Sequence, residues 1–125
     1  MRLDAYGLPA TGSADAVDLY DNAVRGLLGW DGATLGQFHA VTAIAPGLAL
    51  AHVGAAVCLF LEERFAEAKA AAETARSVVV DATDRERSHV EALALWVTGN
   101  VTGAEKIMRE HLAAWPRDLV VLQRL

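Results

Sequence analysis

Very little in this sequence is equipped for covalent chemistry. Cys58 is the only cysteine, so no disulfide can close within the chain and no thiolate cluster can hold a metal. A single thiol fits a reducing compartment, and a cytoplasmic setting is expected. Cys58 has the apolar neighbours Val57 and Leu59, which predicts a thiol of raised pKa and low reactivity. Aromatic residues make up only 6% of the chain. No basic run is present, and 11 basic against 16 acidic residues leave a net charge of −5. Neither nucleic acid nor an anionic membrane is expected as a partner. The opening Met1-Arg2-Leu3-Asp4-Ala5-Tyr6-Gly7 contains no apolar core, so it does not read as a secretory leader.

Catalytic motifs are missing as well. H-E-x-x-H, G-x-G-x-x-G, G-K-[ST] and G-x-S-x-G do not occur, although each has a spacing that its chemistry requires. The four histidines, His39, His52, His89 and His111, are scattered. His52 lies on the most apolar segment and reads as a hydrogen-bonded core residue. His89 stands one helical turn from Arg85 and from Leu93, where it either lines a groove or packs between helices. Glu62-Glu63 reads as a turn, and Glu105 with Arg109 as an exposed ion pair four residues apart. No catalytic residue, cofactor site or metal ligand is expected, and the chain does not read as an enzyme.

One long apolar stretch, Ala40 to Leu61, has the length of a membrane span. Pro46 and Gly47 divide it, and each half is then too short. The expected outcome is a helix end, a turn, and a second helix buried on most sides.

What is abundant is alanine within a 54% hydrophobic composition, a mixture suited to closely packed helices. After an irregular lead-in over residues 1–12, apolar spacing predicts helices at about 14–28, 33–45, 47–61, 65–79, 84–98 and 102–115. A seventh begins near residue 119. The expected inward residues include Phe38, Val41 and Ile44 or Ala45 in the second helix, and Phe65, Ala68, Ala72, Ala75 and Val79 in the fourth. Ser13 is placed to cap the first helix, and Thr83-x-x-Glu86 has the form of a capping box. Gly29-Trp30-Asp31-Gly32 and Gly99-Asn100 are turns, and Pro46 and Pro116 are stops.

These helices fall into hairpins at about 14–46, 47–80 and 83–116, with a fourth starting over 117–125. Pro46 and Pro116 stand 70 residues apart, roughly two units of about 34. Gly54 with Ala66, and Ala92 with Ala104, are both 12 apart. Phe38 to Pro46 and Met108 to Pro116 are both 8 apart. Small residues at matching points let two helix backbones approach closely. The spacings resemble the tetratricopeptide pattern, mapping onto Leu50, Val53, Gly54, Val57 and Ala66 in the second unit. In the third they map onto Ala92, Leu95, Ala104, Met108 and Pro116. The expected fold is all-α, a right-handed solenoid of antiparallel hairpins.

A further resemblance runs from Leu8-Pro9-Ala10-Thr11 through Leu19-Tyr20-Asp21, Phe38-His39-Ala40, Ala45-Pro46 and His52. It continues with Arg85 through Ala92, Thr98-Gly99-Asn100 and Trp115-Pro116-Arg117-Asp118. These segments, in this order, are similar to the N-terminal part of the tetratricopeptide repeat protein 38 family. The resemblance implies a piece of a longer solenoid and carries no reaction with it.

In a tetratricopeptide stack the first helix of each hairpin lines the concave face. Here that predicts a groove of Ala16, Leu19 and Ala23, then Leu48, Ala51, Ala55, Cys58 and Leu59, then Glu86, His89, Leu93, Trp96 and Val97. Trp96 is the expected anchor. A terminal-carboxylate clamp is not expected, because its basic and Asn residues are missing. The expected role is a protein or peptide scaffold. The alternatives are self-association through the apolar C-terminal stretch Leu119–Leu125, a face covered by other helices and, last, an enzyme subunit with an unrecognised site.

Overall fold

The computed structural model describes residues 2–29 and 32–125. Seven helices follow one another among these residues: α1 (Ala14–Leu28), α2 (Thr34–Ile44), α3 (Ala49–Leu61), α4 (Phe65–Val78), α5 (Asp84–Val97), α6 (Val101–Ala114) and α7 (Leu119–Arg124). The chain is all-helical apart from one short ladder. Trp30 and Asp31, the middle of the expected first turn, lie outside the described residues.

Helix boundaries follow from local chemistry. The Ser13 hydroxyl accepts the Ala16 N–H at 3.2 Å and starts α1. Thr83 and Glu86 form the reciprocal capping box that starts α5. Asn100 accepts the Gly103 N–H at 2.9 Å to start α6. Pro46 and Pro116 follow the last residues of α2 and α6 by two positions, where a proline ring blocks continuation. The apolar stretch at 40–61 is split as expected, and no helix is long and apolar enough to cross a membrane.

The lead-in is where the outcome differs from an irregular, strand-free segment. Arg2–Leu3 (β1) pairs antiparallel with Pro9–Ala10 (β2). The Asp4 carboxylate causes this reversal. Its Oδ1 accepts the N–H of Tyr6 at 2.9 Å and of Leu8 at 3.0 Å, an Asx-type turn. Gly7, at φ +75°, supplies the left-handed residue that the turn needs. Leu8 and Ala10 then enter the core, and the Ala5 N–H donates to Asp21 on α1 at 3.1 Å.

Each helix from α1 to α6 packs on the next, and α3 also packs on α5. The close-approach residues are not all the expected ones. Ala92 and Ala104 are fully buried, and their counterparts on α3 and α4 are Ala56 and Ala68, also 12 residues apart and fully buried. Ala66, expected in that role, is exposed. Gly54 instead faces back towards α2, where the Phe38 ring sits directly over it. Of Ile44 and Ala45, Ala45 packs against the core and Ile44 is exposed. Phe65, expected inward, is 54% exposed and meets Phe60 edge-on, at 5.3 Å between ring centroids.

A repeat of 70 residues is written into the backbone. The N-caps Ser13 and Thr83 have φ/ψ of −71/164° and −71/162°. The C-caps Ala45 and Trp115 have −138/72° and −129/71°, and the next N-caps, Leu48 and Asp118, −83/92° and −77/84°. The segment from α1 into α3 and the segment from α5 into α7 are therefore built alike. α7 packs against α1 as well as against α5 and α6, so the two ends of the described chain meet.

Candidate functional site

The residues expected to line an open groove are, with two exceptions, in the interior. Leu48, Ala51, Ala55, Leu59, Glu86, His89, Leu93 and Val97 are buried, as are Ala16, Ala23 and Cys58. Leu19 is exposed, and Trp96 is half-buried. The chain covers this face itself. The Thr11 N–H and hydroxyl donate to Glu86 at 3.0 and 2.7 Å, β2 packs on α5, and α7 packs on α1 and α5. Among the other expected residues, His52 Nε2 bonds the Pro46 carbonyl at 2.7 Å, but the residue is half-buried and not in the core. Glu105 and Arg109 form their exposed pair at 2.9 Å.

Cys58 is buried and its thiol is pushed up to about 12, chiefly by desolvation. It borders a cleft of about 290 Å³ with Leu27, Leu35 and Leu61. We expect Cys58 to resist a maleimide or a disulfide reagent at pH 8 in the folded chain and to react promptly in urea. Equal rates in both conditions would show that the thiol is accessible.

The described residues concentrate their buried polar chemistry elsewhere, around Asp118, the residue that precedes α7. A single oxygen, Asp118 Oδ2, meets Arg85 Nε at 3.0 Å, His89 Nδ1 at 2.7 Å and His111 Nε2 at 2.7 Å. Arg85 continues the network by donating from Nη1 to the Pro9 carbonyl at 3.1 Å and pairing through Nη2 with Asp4 at 3.1 Å. His111 Nδ1 meets the Ser88 hydroxyl at 2.8 Å, and the His111 ring packs against Trp115 at 5.0 Å. Arg85, His89, His111 and Asp118 are all at least 98% buried. Helical spacing explains the convergence: Arg85 and His89 are four apart on one face of α5. The proline turn then returns Asp118 beside His111.

The electrostatics follow from this crowding. Burial opposes the Asp118 charge, yet the two imidazoles and the guanidinium around it prevail and hold the carboxyl far below its ordinary range. Desolvation lowers the His89 pKa despite the Asp118 carboxylate, so its ring is neutral. Nδ1–H then donates to Asp118, and His89 Nε2 has no partner among the described residues. Asp118 Oδ1 is likewise unpartnered.

Asp118 and Arg85 were not singled out in the sequence, and each alone reads as a surface residue. The signal that finds them is the 70-residue repeat. The counterparts of His89, His111 and Asp118 are Leu19, Val41 and Leu48, and Val41 and Leu48 are fully buried apolar residues. Two points of this junction, His111 and Asp118, are thus held by hydrocarbon in the earlier unit, whereas Leu19, the counterpart of His89, is exposed.

Ser88, His111 and Asp118 also run in the bonding order of nucleophile, base and orienting carboxylate. The void beside Asp118, lined by Asp4, Tyr20 and Arg85, is about 10 Å³. That is room for a water molecule, not a substrate. What the arrangement does is tie α5, α6 and the start of α7 to one oxygen, with Arg85 extending the network to the lead-in. Comparison with family models, curated proteins and solved structures finds no match to this chain.

Proposed function

We propose that the chain is a non-catalytic binding scaffold of the tetratricopeptide kind, the N-terminal part of a longer right-handed stack of hairpins acting in the cytoplasm. The resemblance to the tetratricopeptide repeat protein 38 family points the same way. The observation that carries the reading is the recurrence of cap and turn geometry after 70 residues, which is how a stacked repeat propagates. A protein or peptide partner then docks on a flank that the chain leaves bare. The best such flank lies between α5, α6 and α7. A cleft of about 150 Å³ is lined there by Trp96, Val101, Ala104, Met108, Arg124 and Leu125. Trp96 packs on Phe60 at 4.5 Å, with the Arg124 guanidinium 5.7 Å from its ring centre, so it offers a rigid aromatic edge. Val101 and Leu125 in this lining are exposed, and so is Leu122 on α7.

The same exposed leucines on α7 favour self-association as the second reading. Sedimentation of the purified chain separates the two. A monomer at high concentration supports a foreign partner, and a reversible dimer supports the second reading. In either case Val101→Glu with Leu122→Glu is expected to weaken the association at least roughly tenfold, because both side chains would anchor apolar contact. The helical circular dichroism should not change, since both residues are on the surface. Undiminished association by this variant would remove the flank from the proposal.

A further inference from the structure

Seventy residues earlier, the positions of His111 and Asp118 are held by the buried apolar Val41 and Leu48, so the fold does not require polar groups at those two points. Burying them is costly unless each is paired, and here the pairing is incomplete. Two carboxylates, Asp4 and Asp118, face one guanidinium, and Asp118 Oδ1 is unpartnered although the residue is 99% buried. A residual negative charge and a spare carboxylate oxygen sit beside two imidazole nitrogens. His89 Nδ1, His111 Nε2 and an Asp118 oxygen all lie within 4.8 Å of one another.

We propose that His89, His111 and Asp118 form a closed structural site for a divalent cation of the zinc class. Two imidazoles and a carboxylate are the donor set that such an ion prefers. Ligand atoms 2.7 Å apart, as each imidazole nitrogen is from Asp118 Oδ2, can both lie about 2.0–2.1 Å from one ion. Asp118 binding through both oxygens would complete four donors and employ Oδ1.

The protons balance without release to solvent. The imidazole N–H groups now facing Asp118 give way to the ion, and each ring carries its proton on the other nitrogen instead. For His111 that nitrogen is Nδ1, which then donates to the Ser88 hydroxyl, the outer hydrogen bond that orients a ligating histidine. Arg85 keeps its bond to Asp118 from the side, as an outer partner of the ligating carboxylate. The ion would clamp α5, α6 and the start of α7. This inference stands independently of the scaffold reading.

The test uses the whole chain, stripped with a chelator and titrated with Zn²⁺ and, as a spectroscopic probe, with Co²⁺. One ion per chain is expected, with a rise in melting temperature that a chelator reverses. Bound Co²⁺ should show the intense visible bands of a low-symmetry site, and X-ray absorption at the zinc edge should find two imidazoles. His111→Gln and His89→Gln are each expected to weaken binding by roughly tenfold or more, whereas His39→Ala and His52→Ala should leave it unchanged. A wild-type chain that leaves the Co²⁺ spectrum as in water would overturn the site, whatever the variants do. Zinc held by fewer than two imidazoles, or binding lost with His39 or His52, would do the same.

Discussion

Asp118→Ala is expected to be among the most damaging single substitutions in this chain, costing about 3–5 kcal/mol in urea unfolding followed by helical circular dichroism. The carboxylate stabilises its surroundings less by its own bonds than by what its loss strands. Arg85 would keep Asp4 and the Pro9 carbonyl but lose the partner of its Nε. Two imidazole N–H groups would face a cavity. Because a small domain holds only about 5–15 kcal/mol in total, the variant should be marginal at room temperature. The α7 segment should detach first, since this oxygen joins it to α5 and α6. Hydrogen exchange would locate that loss at residues 118–125. A loss below about 1 kcal/mol would mean that the network is solvated.

The repeat supplies a sharper form of the same prediction. His89→Leu, His111→Val and Asp118→Leu install the residues found 70 positions earlier, and Arg85 keeps its pairing with Asp4 and its bond to the Pro9 carbonyl. The threefold variant should recover most of what Asp118→Ala loses, since well-packed apolar replacements of buried polar networks are often neutral or better. It should also lose acid sensitivity. In the metal-free wild type, His89 has a folded pKa below its unfolded value. Its contribution is therefore present above about pH 6.5 and lost as the pH falls below that. Asp118, also depressed, contributes above about pH 3.9 and loses that contribution on further acidification. Both act in one direction, so wild-type stability should fall steadily below neutrality while the variant's curve is flatter. Parallel curves would show that the acid response arises elsewhere.

The sequence made the helices legible because their ends carry strong, local signals. Two prolines, Gly99-Asn100 and the Thr83–Glu86 box place boundaries within a residue or two, and apolar spacing does the rest. The lead-in ladder was not legible, since strands of two residues have no periodicity. Asp4 at the head of an Asx turn looks like any polar residue. The register of the second unit was misread for a physical reason too. Glycine and alanine are interchangeable as small residues in a pattern, so Gly54–Ala66 fits the 12-residue spacing as well as Ala56–Ala68 does. Only packing distinguishes them. The groove was misplaced because a repeat pattern specifies which helix faces inward and is silent on what covers it. Here Thr11, β2 and α7 do so. The Asp118 cluster escaped notice because its members come from three separate elements, and an Asp just before a helix reads as an N-cap. Asp118, however, makes no side-chain cap bond and turns its carboxylate to the histidines.

Gly54→Ala should rank next, with an expected cost of about 1–3 kcal/mol, at the upper end of what overpacking brings. In most helices the change would help, since alanine is the better helix former by about 1 kcal/mol. Here the added Cβ would stand 2.5 Å from Phe38 Cε1, 2.6 Å from Cζ and 2.9 Å from Cδ1. The ring has little freedom to withdraw, being fully buried with the Tyr20 ring 6.0 Å away. Any movement must be shared by α2 and α1. The repeat again indicates the remedy, because the position equivalent to Phe38 is Met108, an unbranched side chain that adapts to irregular space. Phe38→Met alone should cost about 1 kcal/mol as a near volume-conserving change. Combined with Gly54→Ala, it should cost less than the two single changes summed, with a coupling of about 1 kcal/mol or more. Strict additivity would place the clash somewhere other than between these two residues, and the close approach of α2 to α3 would lose its explanation.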